Sequence, residues 1–165
     1  MIIQIRVDDR LVHGQIALVW SRALGTDRIV VANDKAAVTE ATQMALKMAV
    51  PNGIKLLIRN IDDAITLFNN PKAKDVGLFV LTNTVSDAYK IVEKCSDVVK
   101  AVNIANVGKF DGVPMKEKKA LLDGFFTEKE IEACKELLKF NIPVYHQITP
   151  EKAQTSVEKA LEELK

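Results

Sequence analysis

The chemistry of this chain is concentrated near its start, in the run Asp8-Asp9-Arg10-Leu11-Val12-His13-Gly14-Gln15. Two carboxylates, a guanidinium and an imidazole stand within reach of one another, and Gly14 permits close backbone approach. A neutral imidazole is a nucleophile able to take a phosphoryl group, which splits one hard transfer into two easier ones. Arg10 would meet phosphate oxygens through charge-assisted hydrogen bonds worth about 1.5–3 kcal/mol. Helical periodicity follows at once, so the unpaired N–H groups at Gly14 and Gln15 and the helix dipole would also favour a phosphate there. The dipole adds roughly 0.3–1 kcal/mol at an exposed site. Asp8 or Asp9 could bond the second ring nitrogen and fix the tautomer. The plainer alternative is that His13 merely precedes a helix while Asp8 and Asp9 solvate a loop.

Short apolar, β-branched runs must position this loop. They predict strands over Ile2 to Val7, Arg28 to Ala32, Ile54 to Ile58, Val76 to Leu81, Val99 to Ile104 and Ile142 to Tyr145. Several are almost wholly apolar, as expected of strands covered on both faces. Helical spacing falls between them: Ile16, Trp20, Ala23 and Leu24; Ala37, Ala41, Met44, Ala45 and Met48; Ile61, Ala64, Ile65 and Phe68; Val85, Ala88, Ile91, Val92 and Cys95. Thr127 and Glu130 form a capping-box pattern ahead of Ile131, Cys134 and Leu138. Thr149 and Pro150 supply a cap and an N1 proline before Ala153, Val157, Ala160, Leu161 and Leu164. Lys119 to Phe126 is an extra strand candidate, antiparallel at a sheet edge. The alternation predicts an α/β fold, an open and mainly parallel sheet of about six or seven strands with helices on both faces.

In such sheets ligands bind beyond the carboxyl ends of the strands. Besides the Asp8–Gln15 loop, that edge holds Thr82 and Thr84, which could bond a phosphate or cap the next helix, and Lys109 and Arg59, candidates for a basic rim. His146 ends the last strand and reads as a structural histidine. Cys95 and Cys134 sit at core spacing, where an inert thiol is the default.

Composition narrows the function. The 165 residues carry 48% apolar and 27% charged residues, ordinary for a soluble globular protein. No linker or repeat interrupts them, so residues 1–165 are expected to form one domain. A net charge of +1 gives no footprint for nucleic acid. No apolar run is long enough to span a bilayer, and Met1 to Arg10 lacks the pattern of a signal peptide. The expected location is cytoplasmic. The two cysteines form no disulfide framework or metal-ligand spacing, and no metal or organic cofactor is suggested.

The stretch Ile5 to Gln15 closely resembles the opening motif of IIB components in the mannose/fructose/sorbose family of the bacterial phosphoenolpyruvate-dependent sugar phosphotransferase system. Ala32-Asn33-Asp34 is similar to that family's A-N-D element. Val102 to Gly108 resembles its Asn/Gly-rich segment, and Val144 to Pro150 its final strand and helix start. The resemblance spans essentially the whole chain. It implies a protein-N(pi)-phosphohistidine–sugar phosphotransferase: a IIA phosphohistidine passes its phosphoryl group to His13, which delivers it to a sugar carried by the membrane components IIC and IID. Arg10 matches the motif arginine, and Asp8 and Asp9 match its acidic pair. The family also implies recruitment to the inner face of the membrane by IIC and IID. The sugar, the acceptor nitrogen of His13 and any homo-oligomer stay open.

Two other readings compete. A receiver-like domain phosphorylated on aspartate would use Asp8-Asp9, a threonine after the fourth strand and Lys109. Its third strand, however, ends Arg59-Asn60, where a receiver needs its acceptor aspartate, and the string from Asp9 to Gln15 would be left unexplained. A mononucleotide-binding protein would need a glycine-rich loop after the first strand, and none is present.

Overall fold

The computed structural model describes residues 1–164. Its centre is a seven-stranded sheet built from β1 (Ile2–Asp8), β2 (Arg28–Ala32), β3 (Lys55–Arg59), β4 (Leu78–Thr82), β5 (Val102–Asn106), β8 (Val144–His146) and β9 (Thr155–Ser156), in the order β3-β2-β4-β1-β5-β8-β9. All pairings are parallel except β8 with β9. The expected α/β architecture is therefore present, with one short antiparallel strand at its edge.

Alternation along the strands divides the core into two faces. In β2, Val30 and Ala32 face one side while Ile29 and Val31 face the other; in β4 the same holds for Val80 against Phe79 and Leu81. Helices α4 (Ile61–Phe68), α5 (Val85–Cys95), α6 (Glu128–Leu137) and α7 (Val157–Glu163) cover the first face. Helices α1 (Gly14–Leu24), α2 (Asp34–Val38) and α3 (Glu40–Ala49) cover the second. β1 departs from the pattern. Ile5 and Val7 join the first core, but the other side of the strand carries Gln4, Arg6 and Asp8, all buried.

The connection from β1 leaves across the α1 face, and that from β4 leaves across the α5 face. The loop after β1 thus opens at the middle of the C-terminal edge, beside a topological switch point.

Several sequence expectations change in the structure. Lys119–Leu121 (β6) and Gly124–Phe126 (β7) pair with each other as a separate hairpin and do not join the main sheet. Thr149-Pro150 starts no α-helix: Gln147 donates from Nε2 to the carbonyls of Pro150 and Lys152, holding a turn there, and α7 begins only at Val157 with Ser156 as its cap. The stripe Ala41, Met44, Ala45 and Met48 points outward; Leu46 and Ala36 supply the buried contacts of α3 and α2. The capping box at Thr127 is half present. Its hydroxyl accepts from the Glu130 N–H, but the Glu130 carboxylate turns away to α5, where it accepts from the N–H groups of Val85 (2.6 Å) and Ser86 (3.1 Å) and from the Ser86 hydroxyl (2.6 Å).

Candidate functional site

The site grows from the end of β1. The Leu11 N–H closes a turn onto the Asp8 carbonyl at 2.9 Å, and Leu11 adopts a left-handed φ of 57°. That conformation costs a non-glycine residue about 1–2 kcal/mol. Leu11 and Val12 are both buried against Ala17 and Trp20 of α1, and burying one such side chain contributes about 1.5–3 kcal/mol. The two apolar residues therefore hold the turn, leaving Arg10 and His13 at the surface.

His13 is the N-cap residue of α1, in extended conformation, and its ring makes no capping hydrogen bond. The ring is turned back to Asp8, with Nε2 2.9 Å from Oδ2. Asp8 is fully buried and gathers further donors: Asn106 Nδ2 at 3.0 Å and Arg6 at 3.4 Å on Oδ2, and the Arg10 N–H at 3.0 Å on Oδ1. The Arg10 side chain, about half exposed, brings Nε to 3.5 Å from the same Oδ1. Burial pushes the Asp8 carboxyl up, but the bonds from His13, Arg10 and Asn106 and the charge of Arg6 outweigh it and hold the group down at about 2. An ionised Asp8 can only accept, so the proton between it and His13 sits on Nε2. Nδ1, the other ring nitrogen, has no hydrogen-bond partner among the described residues.

Asp9 does something else. Its carboxylate accepts from the N–H groups of Gly108 (3.1 Å), Lys109 (2.5 Å) and Phe110 (3.2 Å), fastening the loop after β5. Burial raises its pKa, with these three bonds opposing the shift. The orienting role expected of the pair Asp8-Asp9 is thus divided: Asp8 meets the imidazole, and Asp9 anchors the neighbouring loop.

Residues 2–165 match the family model of the PTS system sorbose subfamily IIB component. The chain belongs to that family. A probable phosphotransferase enzyme IIB component of Streptococcus pyogenes is 51% identical over 152 residues, covering 91% of this chain and 93% of that protein. The sorbose-specific EIIB component of Klebsiella pneumoniae is 29% identical over 137 residues, covering 83% of this chain and 80% of that protein. Among solved structures, the IIB domain of the Klebsiella pneumoniae sorbose permease superposes with a TM-score of 0.87 at 26% identity, covering 100% of this chain and 98% of that one. Phosphoryl transfer in sugar uptake is accordingly the general function of this IIB component.

Two residues that meet Asp8 were not among the site residues expected from the sequence, although Asn106 lies within the Val102 to Gly108 segment. Arg6 lies beneath Asp8, 1% exposed, with its guanidinium 5.5 Å from the Trp20 ring and donating to the Gln147 carbonyl at 3.2 Å. Asn106 approaches Asp8 from β5, which pairs with β1. The signal for Arg6 was available: Gln4, Arg6 and Asp8 recur at period two in an otherwise apolar strand.

The other residues singled out in the sequence lie around this site or in the core. Thr82 donates its hydroxyl to the Thr84 carbonyl at 3.1 Å, and Thr84 accepts from the Asp87 N–H at 3.0 Å as the N-cap of α5. Both hydroxyls thus take part in the start of α5, with Thr84 in the capping role. Gly14 opens α1 with φ 39°, a conformation suited to glycine, and space is open where a Cβ would stand. Gln15 is exposed. His146 is buried, with Nδ1 2.7 Å from the Ile104 carbonyl and Nε2 3.3 Å from Asp123. Cys95 and Cys134 are buried thiols pushed up to about 11 and about 12 by burial. Among the described residues no helix is long and apolar enough to cross a membrane.

Proposed function

We propose that His13 is the phosphoryl acceptor, through Nδ1, and that the chain relays the group from a IIA phosphohistidine to a sugar translocated by membrane IIC and IID components. The observation that carries this reading is the bond from His13 Nε2 to ionised Asp8, 2.9 Å long, which leaves the Nδ1 lone pair uncommitted. In the first step that lone pair attacks phosphorus, the N–P bond of the donor breaks, and its electron pair returns to the donor ring. The His13 ring keeps its Nε2 proton and acquires imidazolium character, which the Asp8 carboxylate stabilises without taking the proton. In the second step a sugar hydroxyl attacks phosphorus, the bond to Nδ1 breaks, and the hydroxyl proton leaves to solvent.

Arg10 is placed to steady the phosphoryl oxygens, since its side chain is about half exposed while its Nε stands 3.5 Å from Asp8. The N–H groups at Gly14 and Gln15, at the head of an 11-residue helix, complete the phosphate cradle. In this reading residues 1–165 act as a single IIB domain that works at the cytoplasmic face of the membrane.

The test is phosphorylation by a phosphorylated IIA protein followed by chemical mapping. Label should be stable to base, labile to acid and lost in His13→Ala. A His13→Ala chain that still took up label, or a label destroyed by hydroxylamine as an aspartyl phosphate is, would overturn the assignment.

A further inference from the structure

We propose that Phe110 is the anchor on which the phosphorylated donor protein docks, an inference that rests on the reading of His13 as acceptor. Phe110 is 70% exposed on the loop that follows β5. A single exposed apolar residue is ordinary in itself. The frame around this one is not that of a loose loop. The backbone of Gly108, Lys109 and Phe110 is fastened to the Asp9 carboxylate by three N–H bonds. From the other side Lys118, its side chain 1% exposed, donates to the Gly108 carbonyl at 2.7 Å and to Asp111 at 2.5 Å. Gly108 has φ 77°, and a Cβ there would collide with the Phe125 carbonyl oxygen, so the hairpin β6–β7 closes the loop from beneath.

Such a loop presents its aromatic residue on a backbone already held in place. Phe has few torsions to freeze, and a pinned backbone removes most of the ordering cost of docking. Position supplies the second argument. Asp9, which pins Phe110, is the covalent neighbour of Asp8, which holds His13. The loops after β1 and β5 leave adjacent, paired strands, and reacting atoms must approach to about 3–3.5 Å, so a protein donor that reaches Nδ1 comes to rest on this edge of the sheet.

Charge selects the donor over the membrane components as the occupant. Arg10 and Lys109 are exposed on the rim. They complement a donor that arrives carrying the phosphate's negative charge. After transfer the phosphate sits on His13 itself and neutralises the rim before the sugar-bearing partner arrives.

The experiment measures transfer from the phosphorylated IIA protein of the same transport system to wild-type, Phe110→Ala and Phe110→Leu chains, beside labelling by phosphoramidate, a small donor that needs no docking surface. Phe110→Ala should raise KM for phosphorylated IIA roughly 10- to 30-fold with kcat little changed, as loss of an aromatic anchor does. Phe110→Leu should recover much of the loss, and phosphoramidate labelling should proceed at the wild-type rate. An unchanged KM would overturn the proposal, as would an equal loss with phosphoramidate. Normal KM with slowed delivery to sugar in membrane vesicles would also overturn it, assigning the anchor to the membrane components. Failure of the wild-type chain to accept label from IIA while phosphoramidate still labels His13 would instead sink the donor reading on which the proposal stands.

Discussion

Asp8 and His13 form a pair in which the buried carboxylate sets which nitrogen of the partly exposed imidazole is left free: Nε2 lies 2.9 Å from Oδ2, and Nδ1 has no partner among the described residues. Asp8→Asn keeps the shape but lets the amide donate, which favours the tautomer with the proton on Nδ1. Transfer from phosphorylated IIA should fall by roughly 10²- to 10⁴-fold. Nitrogen NMR of the His13 ring should show the tautomer exchanged in the variant. A wild-type ring protonated on Nδ1 when neutral would contradict the proposed acceptor.

The same carboxylate gives folding stability a pH dependence with a definite sign. Asp8 is held at about 2 in the folded chain, below the ordinary 3.8, so the unfolded state binds its proton more readily. The contribution is fully present above about pH 4 and is lost as pH falls through about 2; for this buried group it amounts to roughly 2 kcal/mol. Asp9, raised by burial, contributes an opposite slope, so the cleaner measurement is a difference. The gap in urea unfolding free energy between wild type and Asp8→Asn should narrow steadily from about pH 4 downward. A gap that stayed constant would show that ionised Asp8 is not what the fold favours.

Two arginines reach this carboxylate and should fail differently. Arg10 is about half exposed, and its pairing with Asp8 at 3.5 Å is worth at most about 1 kcal/mol to folding. Arg10→Ala should lower transfer about 10²-fold while leaving the unfolding midpoint nearly in place. Arg6 is buried between Asp8, Trp20 and the Gln147 carbonyl. Arg6→Met removes a buried partner and should cost about 3 kcal/mol in stability. Parallel urea titrations and transfer assays on the two variants test the division. Equal stability losses would erase it.

The parts of this site that were legible in the sequence are those that lie next to one another. Asp8, Arg10 and His13 carry their chemistry within one loop, and the helical period after Gly14 announces the helix that faces them. Asn106 reaches Asp8 from 98 residues away, and only strand pairing brings it there. Patterning also misled where local and tertiary demands differ. Met44 and Met48 have core spacing but lie on the solvent side of α3, whose buried face carries Leu46 in the same core as Ala36, Val31 and Leu81. Thr149-Pro150 has the composition of a helix start, yet the Gln147 amide bonds the carbonyls that follow and keeps the segment in a turn. Strand order was not readable at all, since it depends on which faces the crossing helices cover.

Glu130 offers a last test, because it bears on what Thr82 and Thr84 do. Its carboxylate closes the start of α5 through Val85 and Ser86, where those two threonines also sit. Glu130→Gln keeps the volume but loses the charge and places an amide donor against N–H groups. Unfolding should become easier by about 1.5–3 kcal/mol. If the threonines only build the helix start, transfer from phosphorylated IIA measured well below the unfolding midpoint should keep its wild-type kcat. If either hydroxyl contacts the phosphate, loosening this turn displaces it, and kcat should drop along with stability. Measuring both quantities on one variant therefore separates a scaffold from a ligand, and the hydrogen bonds already committed to the start of α5 favour the scaffold.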